Sequence, residues 1–529
     1  MQTKWGLAIM AGSLALASCG GGGSTSVATS GTSSTLLATT VDTTAALSTA
    51  QLDSLLTTRY PDPQAQALVG APVCGVQVVK FTYATVGGEG EGTDASGALM
   101  VPTGTAPQCS GPRPVVLYAH GTADQRAEDL SAITNTANPA YGTSTRIALV
   151  FAAQGYIVIA PNYAGYDIST LPYAPYLNGS QQSQDAIDGL TAGRQMLGLL
   201  GGQVSDNGKL YVTGYSQGGY VSMATLAALD SQGRPATAGA PMSGPYALLA
   251  MGDEIFLGHP DFGGTVFLPM VVNSYAHLKQ GSINPSQVFT AQYANAVSLF
   301  PGDVGAQAAM QQGLIPATAL FQSAPTGYNN LNTLPEALPP LGSSGFATSN
   351  YLISTAFREA YVNDVDTNPD GAAPPSGSAP DFSTTAPTLP GSPQLLLRQD
   401  LKANDLRNYT PSMPLMMCGG LNDPEVYWGQ GAGAMTAALN TKAPGDPGLR
   451  YATLDLDVSG GTSGTFTSHG LTSAQNATMQ AVATQAQQAF TNYQGGVETQ
   501  FGAVVGMELY HTNERVFCTA AARTFFAQF

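Results

Sequence analysis

The pattern of hydrophobic and polar positions divides the chain into two regions that alternate strands with helices and an irregular region between them. Short apolar runs rich in β-branched residues are typical of buried strands, and longer segments show helical spacing. The predicted strands are residues 76–83, 98–101, 115–118, 157–160 and 210–213 in the first region and 413–418 and 451–456 in the second. The predicted helices are residues 146–154, 183–200, 220–229 and 514–526. Short connections between them predict an α/β fold, a mostly parallel sheet with helices on both faces.

The alternation stops near residue 244 and resumes near residue 409. The region between contains an apolar stretch at 266–272 and predicted helices at 291–300 and 304–314, and its Pro/Gly/Ser/Thr-rich segment 366–393 predicts a disordered or extended loop. Neither flanking region closes a sheet alone, so one domain with an insertion fits better than two domains in tandem. We predict a core at 51–248 and 409–529 and a lid or cap insertion at 249–408, before the later strands.

The N-terminus has the features of an export signal. Lys4 precedes an apolar stretch that is too short to span a bilayer and is followed by Gly and Ser. Leu16-Ala17-Ser18-Cys19 resembles a bacterial lipobox, which would make residues 1–18 a lipoprotein signal peptide and Cys19 the lipidated residue. The alternative is an ordinary signal peptide with a chance cysteine. The Gly/Ser/Thr-rich segment 19–50 predicts a flexible tether. We therefore expect an outer-membrane lipoprotein, held by its lipid anchor, or a secreted protein.

Charge and cysteine content narrow the function and the compartment. The chain has 529 residues, 43% of them hydrophobic and only 10% charged, with a net charge of −16. Such a charge would repel phosphates, so nucleic acid is not an expected partner. Apart from Cys19, four cysteines remain, and an even number in an exported chain favours two disulfides. Three pairings are possible; proximity favours Cys74–Cys109, leaving Cys418–Cys518, and the alternative is that some are free thiols.

Ser216 is the candidate nucleophile. It lies in Gly214-Tyr215-Ser216-Gln217-Gly218, between the predicted strand 210–213 and the predicted helix 220–229. A G-x-S-x-G pattern alone is weak in a chain with 62 glycines. A strand before it and a helix after it give the sharp turn that exposes a nucleophilic hydroxyl, and the glycines allow close approach of neighbouring backbone.

A serine nucleophile needs a base and an acid that orients the base. Asp423 follows the late strand 413–418 and is the candidate acid; the alternative is that it only starts a turn before Pro424. Two histidines lie downstream. His511 directly precedes the predicted C-terminal helix, and a Cys418–Cys518 bond would hold it near Asp423, so it is preferred as the base. His469 stays the alternative base.

The oxyanion of acyl transfer needs two backbone N–H donors. One is expected from Gln217, directly after the nucleophile. The second is expected from Thr122 in His120-Gly121-Thr122, which follows the strand 115–118. The alternative for this second segment is a simple chain turn.

Together these segments resemble the α/β-hydrolase superfamily, and more narrowly the secretory lipase and esterase branch related to fungal lipase A. The matching segments are LYAHGT at 117–122, GYIVIAPNY at 155–163, VTGYSQGG at 212–219 and PLMMCGGLNDP at 414–424. The family usually has an acid where this chain has Asn162. The resemblance implies ester hydrolysis through an acyl-enzyme, with no cofactor and no metal, and a lid that covers the acyl pocket.

The favoured function is therefore a carboxylic ester hydrolase acting on small or polymeric esters such as acylglycerols, plant esters or polyester oligomers. Apolar residues of the insertion are expected to line the acyl site or to form the lid core: Phe267, Leu268, Met270, Tyr275, Phe300 and Phe321. A serine peptidase on the same fold is an alternative, since Asp253-Glu254 offers paired acids for a terminal amine. A non-catalytic surface binding protein is the other alternative, although a binding module has no need of a complete triad.

Overall fold

A computed structural model of the chain describes residues 35–278, 283–328, 330–331, 344–370, 392–458 and 466–529. The predicted signal peptide 1–18 and the lipidation site Cys19 lie outside the described residues, as does most of the predicted loop 366–393. Among the described helices, none combines the length and apolarity needed to cross a bilayer.

A ten-stranded sheet organises the fold, in the order β1-β2-β3-β5-β4-β6-β7-β10-β11-β12. Its strands are β1 (Asp42–Leu47), β2 (Gly75–Val86), β3 (Gly92–Thr103), β4 (Gly111–Ala119), β5 (Ile157–Pro161), β6 (Val204–Tyr215), β7 (Ala238–Met242), β10 (Leu415–Gly419), β11 (Tyr451–Asp455) and β12 (Phe466–His469). The six strands from β5 to β11 in this order are parallel, and the strands at the two sides pair antiparallel. β8 (Phe321–Gln322) and β9 (Phe346–Ala347) form a separate small pair.

Helices cover both faces of the sheet, as the sequence predicts. Those of the core are α1 (Thr49–Arg59), α2 (Pro63–Val69), α3 (Tyr141–Val150), α4 (Gly179–Leu199), α5 (Gln217–Ser231), α12 (Ala432–Lys442), α13 (Ser473–Phe501), α14 (Ala503–Glu508) and α15 (Tyr510–Phe526). Side chains of β4 alternate between the two faces: Val115 and Leu117 join the α4 and α5 side, and Val116 and Tyr118 join the α3, α13 and α15 side. All four are buried, which explains why β4 appears as a continuous apolar run.

The described residues between β7 and β10 form six α-helices, α6 (Leu248–Leu257), α7 (Gly264–Tyr275), α8 (Pro285–Val288), α9 (Ala306–Gln311), α10 (Thr355–Thr367) and α11 (Leu396–Ala403). It corresponds to the predicted insertion 249–408. The apolar stretch 266–272 lies within α7, and residues 291–300 include a 3-10 helix, Ala291–Ser298. Apolar side chains of these helices continue the same buried cluster as one face of the sheet, so the insertion packs directly on the core.

Two predictions need correction. The predicted tether 19–50 is wrong from Asp42 onward, because β1 pairs antiparallel with β2 and α1 begins at Thr49. The C-terminal helix begins at Tyr510 and not at Glu514. His511 therefore lies in the first turn of this helix, not in the loop before it.

Both predicted disulfides are confirmed. Cys74 bonds to Cys109, and Cys418 bonds to Cys518. The second bond joins the end of β10, which precedes Asp423, to the middle of α15, which carries His511. It spans a sequence separation of 100 residues.

Candidate active site

Ser216 stands on a strained turn between β6 and α5. Its φ of 62° and ψ of −126° lie in a region that non-glycine residues rarely adopt. A Cβ on Gly218 would overlap the carbonyl oxygen of Ala119, and a Cβ on Gly214 would overlap that of Gly218. The N–H of Ser216 donates to the Met242 carbonyl at 3.0 Å, which fixes the turn against β7. The strand–turn–helix arrangement expected of G-x-S-x-G is thus present.

Asp423 and His511 meet beside this turn. His511 Nδ1 lies 2.6 Å from Asp423 Oδ2. The other carboxylate oxygen, Oδ1, accepts from the N–H groups of Glu425 and Val426 at 2.9 and 3.2 Å. One oxygen of Asp423 therefore stabilises the turn, and the other contacts the imidazole. His511 Nε2 is buried and has no hydrogen-bond partner among the described residues, so it is available to a hydroxyl at Ser216.

His469 lies elsewhere. It is the last residue of β12, it pairs in register with Tyr451, and its ring stacks on the Tyr451 ring at 5.7 Å. It does not contact Asp423, and it does not border either cavity next to Ser216. The structure thus brings His511, and not His469, to the predicted acid.

The predicted oxyanion donors lie on two segments that pack against each other. A Cβ on Gly121 would lie 3.0 Å from the Tyr215 carbonyl oxygen and 3.4 Å from Ser216 Cβ, so the loop after β4 touches the nucleophile turn. In the part of the chain that the structure describes, the N–H groups of Thr122 and Gln217 have no protein acceptor. Both amides are therefore available beside Ser216.

A buried polar cluster contacts the first turn of α15 beside His511. The Tyr215 hydroxyl lies 2.5 Å from the His511 carbonyl oxygen and 2.6 Å from Glu514 Oε1. Ser243 Oγ makes a short hydrogen bond to the same carboxyl group. Burial raises the pKa of Glu514 well above its usual range, and the charge of Asp423 adds to this. The hydrogen bonds from Tyr215 and Ser243 hold Glu514 in the first turns of α15. The sequence interpretation missed these residues, although Glu514 follows His511 by one helical turn.

Glu425 is a second carboxylate at the base. Its Oε2 lies 3.9 Å from His511 Nε2, the nitrogen not used by Asp423. Burial raises the pKa of Glu425 to about 7. Burial alone would lower the pKa of His511, but the charges of Asp423 and Glu425 outweigh it and raise that pKa to about 9. The only signal for Glu425 in the sequence is its position two residues after Asp423.

Two cavities of different character meet at Ser216. The first, of about 80 Å³, is apolar and is lined mainly by the insertion, including Met251, Ile255, Phe256, Phe267, Leu397 and Leu401. The second, of about 390 Å³, is polar and is bordered by His511, Glu425, Arg146 and Arg515. Of the apolar residues expected at an acyl site, Phe267 and Leu268 line the first cavity, whereas Met270, Tyr275, Phe300 and Phe321 are buried in the packed insertion.

The acid pair that would serve a peptidase has other partners. Asp253 is buried and binds Arg398 through both oxygens, at 2.9 and 2.8 Å. Glu254 lies 3.2 Å from His259. Neither acid borders the cavities at Ser216, so the pair offers no site for a substrate amine there.

One group in the described chain has the composition of a metal site. Ligand atoms of Asp423, His511 and Glu514 lie within 4.8 Å of one another. The Asp423 and His511 atoms bond to each other, and Glu514 accepts from Tyr215 and Ser243. Their hydrogen bonding suits a carboxylate that orients the imidazole of His511.

The sheet order, the turn at Ser216 and the pair at its carboxyl edge define an α/β-hydrolase fold, as predicted. No protein-family model matches the sequence. No curated protein matches it either. Among solved structures, the chain is similar to the rice cell-wall-degrading esterase LipA from Xanthomonas oryzae, with 24% identity over 82% of this chain and 94% of that one and a TM-score of 0.60. It is also similar to a Legionella pneumophila protein described as a hydrolase, with 20% identity over 75% and 86% of the two chains and a TM-score of 0.54.

Proposed function

We propose that this protein is an exported serine carboxylic ester hydrolase that acts through an acyl-enzyme on Ser216. The observation that carries the proposal is the 2.6 Å contact between His511 Nδ1 and Asp423 Oδ2, on a histidine that borders the same cavity as Ser216. An oriented imidazole beside a strained serine turn is the arrangement that activates a hydroxyl. The fold neighbour LipA is an esterase, which agrees with the proposal.

Each residue has one task in the reaction. His511 takes the Ser216 proton as Oγ attacks the ester carbonyl, and Asp423 holds the ring in position and stabilises the imidazolium. The N–H groups of Gln217 and Thr122 donate to the oxyanion. His511 then returns the proton to the leaving alcohol. A water molecule hydrolyses the acyl-enzyme by the same steps, which need no cofactor.

The two cavities support esters as substrates and indicate how the acyl and alcohol portions are oriented at Ser216. The leaving alcohol must receive its proton from His511, so it departs on the side that His511 borders, which is the polar cavity. The acyl group then occupies the apolar cavity. An apolar acyl site and the lack of an amine site favour an ester over a peptide. Acylglycerols, plant esters and polyester oligomers fit this scheme.

The location follows from two features. Disulfides persist in oxidising compartments outside the cytosol, and the N-terminal sequence has a signal and a lipobox-like Cys19. We infer export with a lipid anchor at Cys19 in the outer membrane. Metabolic labelling with a palmitate analogue should mark the full chain and not Cys19→Ser; equal labelling of both, or of neither, would contradict the anchor.

Hydrolysis of p-nitrophenyl butyrate tests the enzyme activity. The wild type should turn over this ester, and Ser216→Ala should lose activity by about 10⁴-fold or more. Ser231→Ala, an exposed serine at the end of α5, is the matched control and should stay active. A fluorophosphonate should label the wild type at Ser216 only. Turnover of aminoacyl-nitroanilides instead of esters would favour the peptidase, and no turnover with no labelling would overturn the proposal.

A further inference from the structure

Two arginines border the polar cavity without an ionic partner. Arg146 on α3 is 5% exposed; its Nη2 donates to the Tyr118 hydroxyl at 3.1 Å, and its buried Nε has no hydrogen-bond partner. Arg515 on α15 donates from Nε to the Thr512 carbonyl at 2.9 Å. Across the described segments, no carboxylate lies within 4.0 Å of either guanidinium. Both charges lie on the cavity that Ser216 borders, and the buried Arg146 lacks the counter-ion that a buried charge requires.

The two guanidinium groups also disfavour each other. Burial lowers the pKa of Arg515, and the positive charge of Arg146 lowers it further. Neither residue belongs to the triad or donates to the oxyanion. A pair of like charges beside one cavity is unfavourable, and an anion placed between them would relieve the cost.

Three acids border the same cavity, and none of them lies within 4.0 Å of either guanidinium. Burial raises the pKa of Glu128 to about 8, so this group is neutral at pH 7. Asp124 accepts from the Ala306 N–H at 2.5 Å, and Glu425 faces His511. The charge of Glu425 raises the pKa of Arg515, but the hydrogen bonds of the two arginines go to the Tyr118 hydroxyl and the Thr512 carbonyl and not to these acids.

We propose that Arg146 and Arg515 bind a carboxylate on the alcohol portion of the substrate, so that the preferred substrates are esters of hydroxy acids. This inference rests on the proposed function, because His511 protonates the leaving group on the side where the arginines lie. Guanidinium groups suit this role, since they bind carboxylates through paired hydrogen bonds. In an oligomer of hydroxy acids only one end carries a free carboxylate, so cleavage would release the unit at that end.

A matched pair of substrates isolates the carboxylate. 3-Butyryloxybutanoate and 3-butyryloxybutanamide have the same single ester, and only the first is anionic. The wild type should prefer the anion in kcat/KM by about tenfold or more, the scale of a hydrogen bond between charged groups. Arg515→Gln and Arg146→Gln should each remove most of this preference while leaving the amide within about threefold. Arg234→Gln, at an exposed position, is the control and should keep the preference.

Further measurements separate this inference from the proposed function. Thermal melting identifies any variant that fails to fold. Raising the salt concentration to about 1 M should raise the KM for the anionic substrate, because salt screens its charge, and should leave the KM for the amide unchanged. Calorimetry of 3-hydroxybutanoate binding to Ser216→Ala, with and without Arg515→Gln, needs no turnover. If p-nitrophenyl butyrate is hydrolysed but the anion is not preferred, or if the variants slow both substrates equally, the inference is wrong. If no ester is hydrolysed but arginine-dependent binding persists, the proposed function fails and the anion site stands.

Discussion

The pH dependence of ester hydrolysis should be set partly by Glu425, which lies outside the triad. His511 must be neutral to take the Ser216 proton. Burial opposes its charged form, but Asp423 and Glu425 favour that form and raise its pKa to about 9. Activity should therefore rise with pH through the mildly alkaline range. Glu425, with its pKa raised to about 7 by burial, is already ionised there.

Replacing Glu425 by Gln removes one negative charge 3.9 Å from His511 Nε2. At that distance the attraction is about 1 kcal/mol in water and about 4 kcal/mol at an effective dielectric constant of about 20. The Glu425 side chain is 18% exposed, which places the value toward the lower end. Because about 1.4 kcal/mol corresponds to one pKa unit, the pKa of His511 should fall by about one unit. The acidic limb of kcat/KM should move to lower pH by the same amount.

The assay is kcat/KM for p-nitrophenyl butyrate from pH 5 to 10, for the wild type, Glu425→Gln and Glu89→Gln. Glu89 is exposed on the loop between β2 and β3, so its variant should keep the wild-type profile. A profile of Glu425→Gln that does not move, or that moves to higher pH, would refute the electrostatic reasoning. A uniform loss at all pH values would instead show that Glu425 supports the fold of the turn.

Three further predictions concern the base, the disulfide and the acyl site. His511→Ala should lower kcat by about 10⁴-fold or more, whereas His469→Ala should stay close to wild type; the reverse would assign the base to His469. Replacing both Cys418 and Cys518 by Ser should lower the free energy of unfolding, measured by urea titration, by about 4 to 5 kcal/mol according to the chain-entropy model. Removing the Cys74–Cys109 bond should lower it less, because that bond closes a shorter loop. Ile255→Trp should fill the apolar cavity and lower the octanoate-to-acetate ratio of kcat/KM by about tenfold; an unchanged ratio would place the acyl group elsewhere.

The parts of the site that rest on local pattern could be predicted from the sequence. The strand before Ser216 and the helix after it are each contiguous runs, and the glycines of the turn are required by close backbone approach. Asp423 follows the buried strand β10 in the same way. Each of these inferences needs only the order of elements and the rule that parallel strands end at one edge of a sheet.

Elements without a strong apolar pattern could not be predicted. In β1 only Ala45 and Leu47 are buried, because it is an edge strand, so its sequence resembles the Ser/Thr-rich segment before it. The buried residues of the long helix α13, which packs on α15, include the small Ala483, Ala486 and Ala489 and the polar Gln487 and Gln494, and such residues give little contrast between its faces. The sequence predicts the start of α15 at Glu514 and not at Tyr510, because its first turn is polar and is stabilised by Tyr215 from another element.

The charged side chains around Ser216 come from parts of the sequence that lie far apart. Arg146 comes from α3, Glu425 from the loop after β10, and Arg515 from the far end of the chain on α15, yet all three border one cavity at Ser216. None is required for the strand–turn–helix or for the Asp423–His511 pair. The reaction therefore depends on short segments that the sequence pattern predicts. The pH profile and the selectivity for the alcohol portion of the substrate depend instead on side chains that only the folded chain brings together. Substitutions at these three positions should alter selectivity and pH profile with the chemical step preserved.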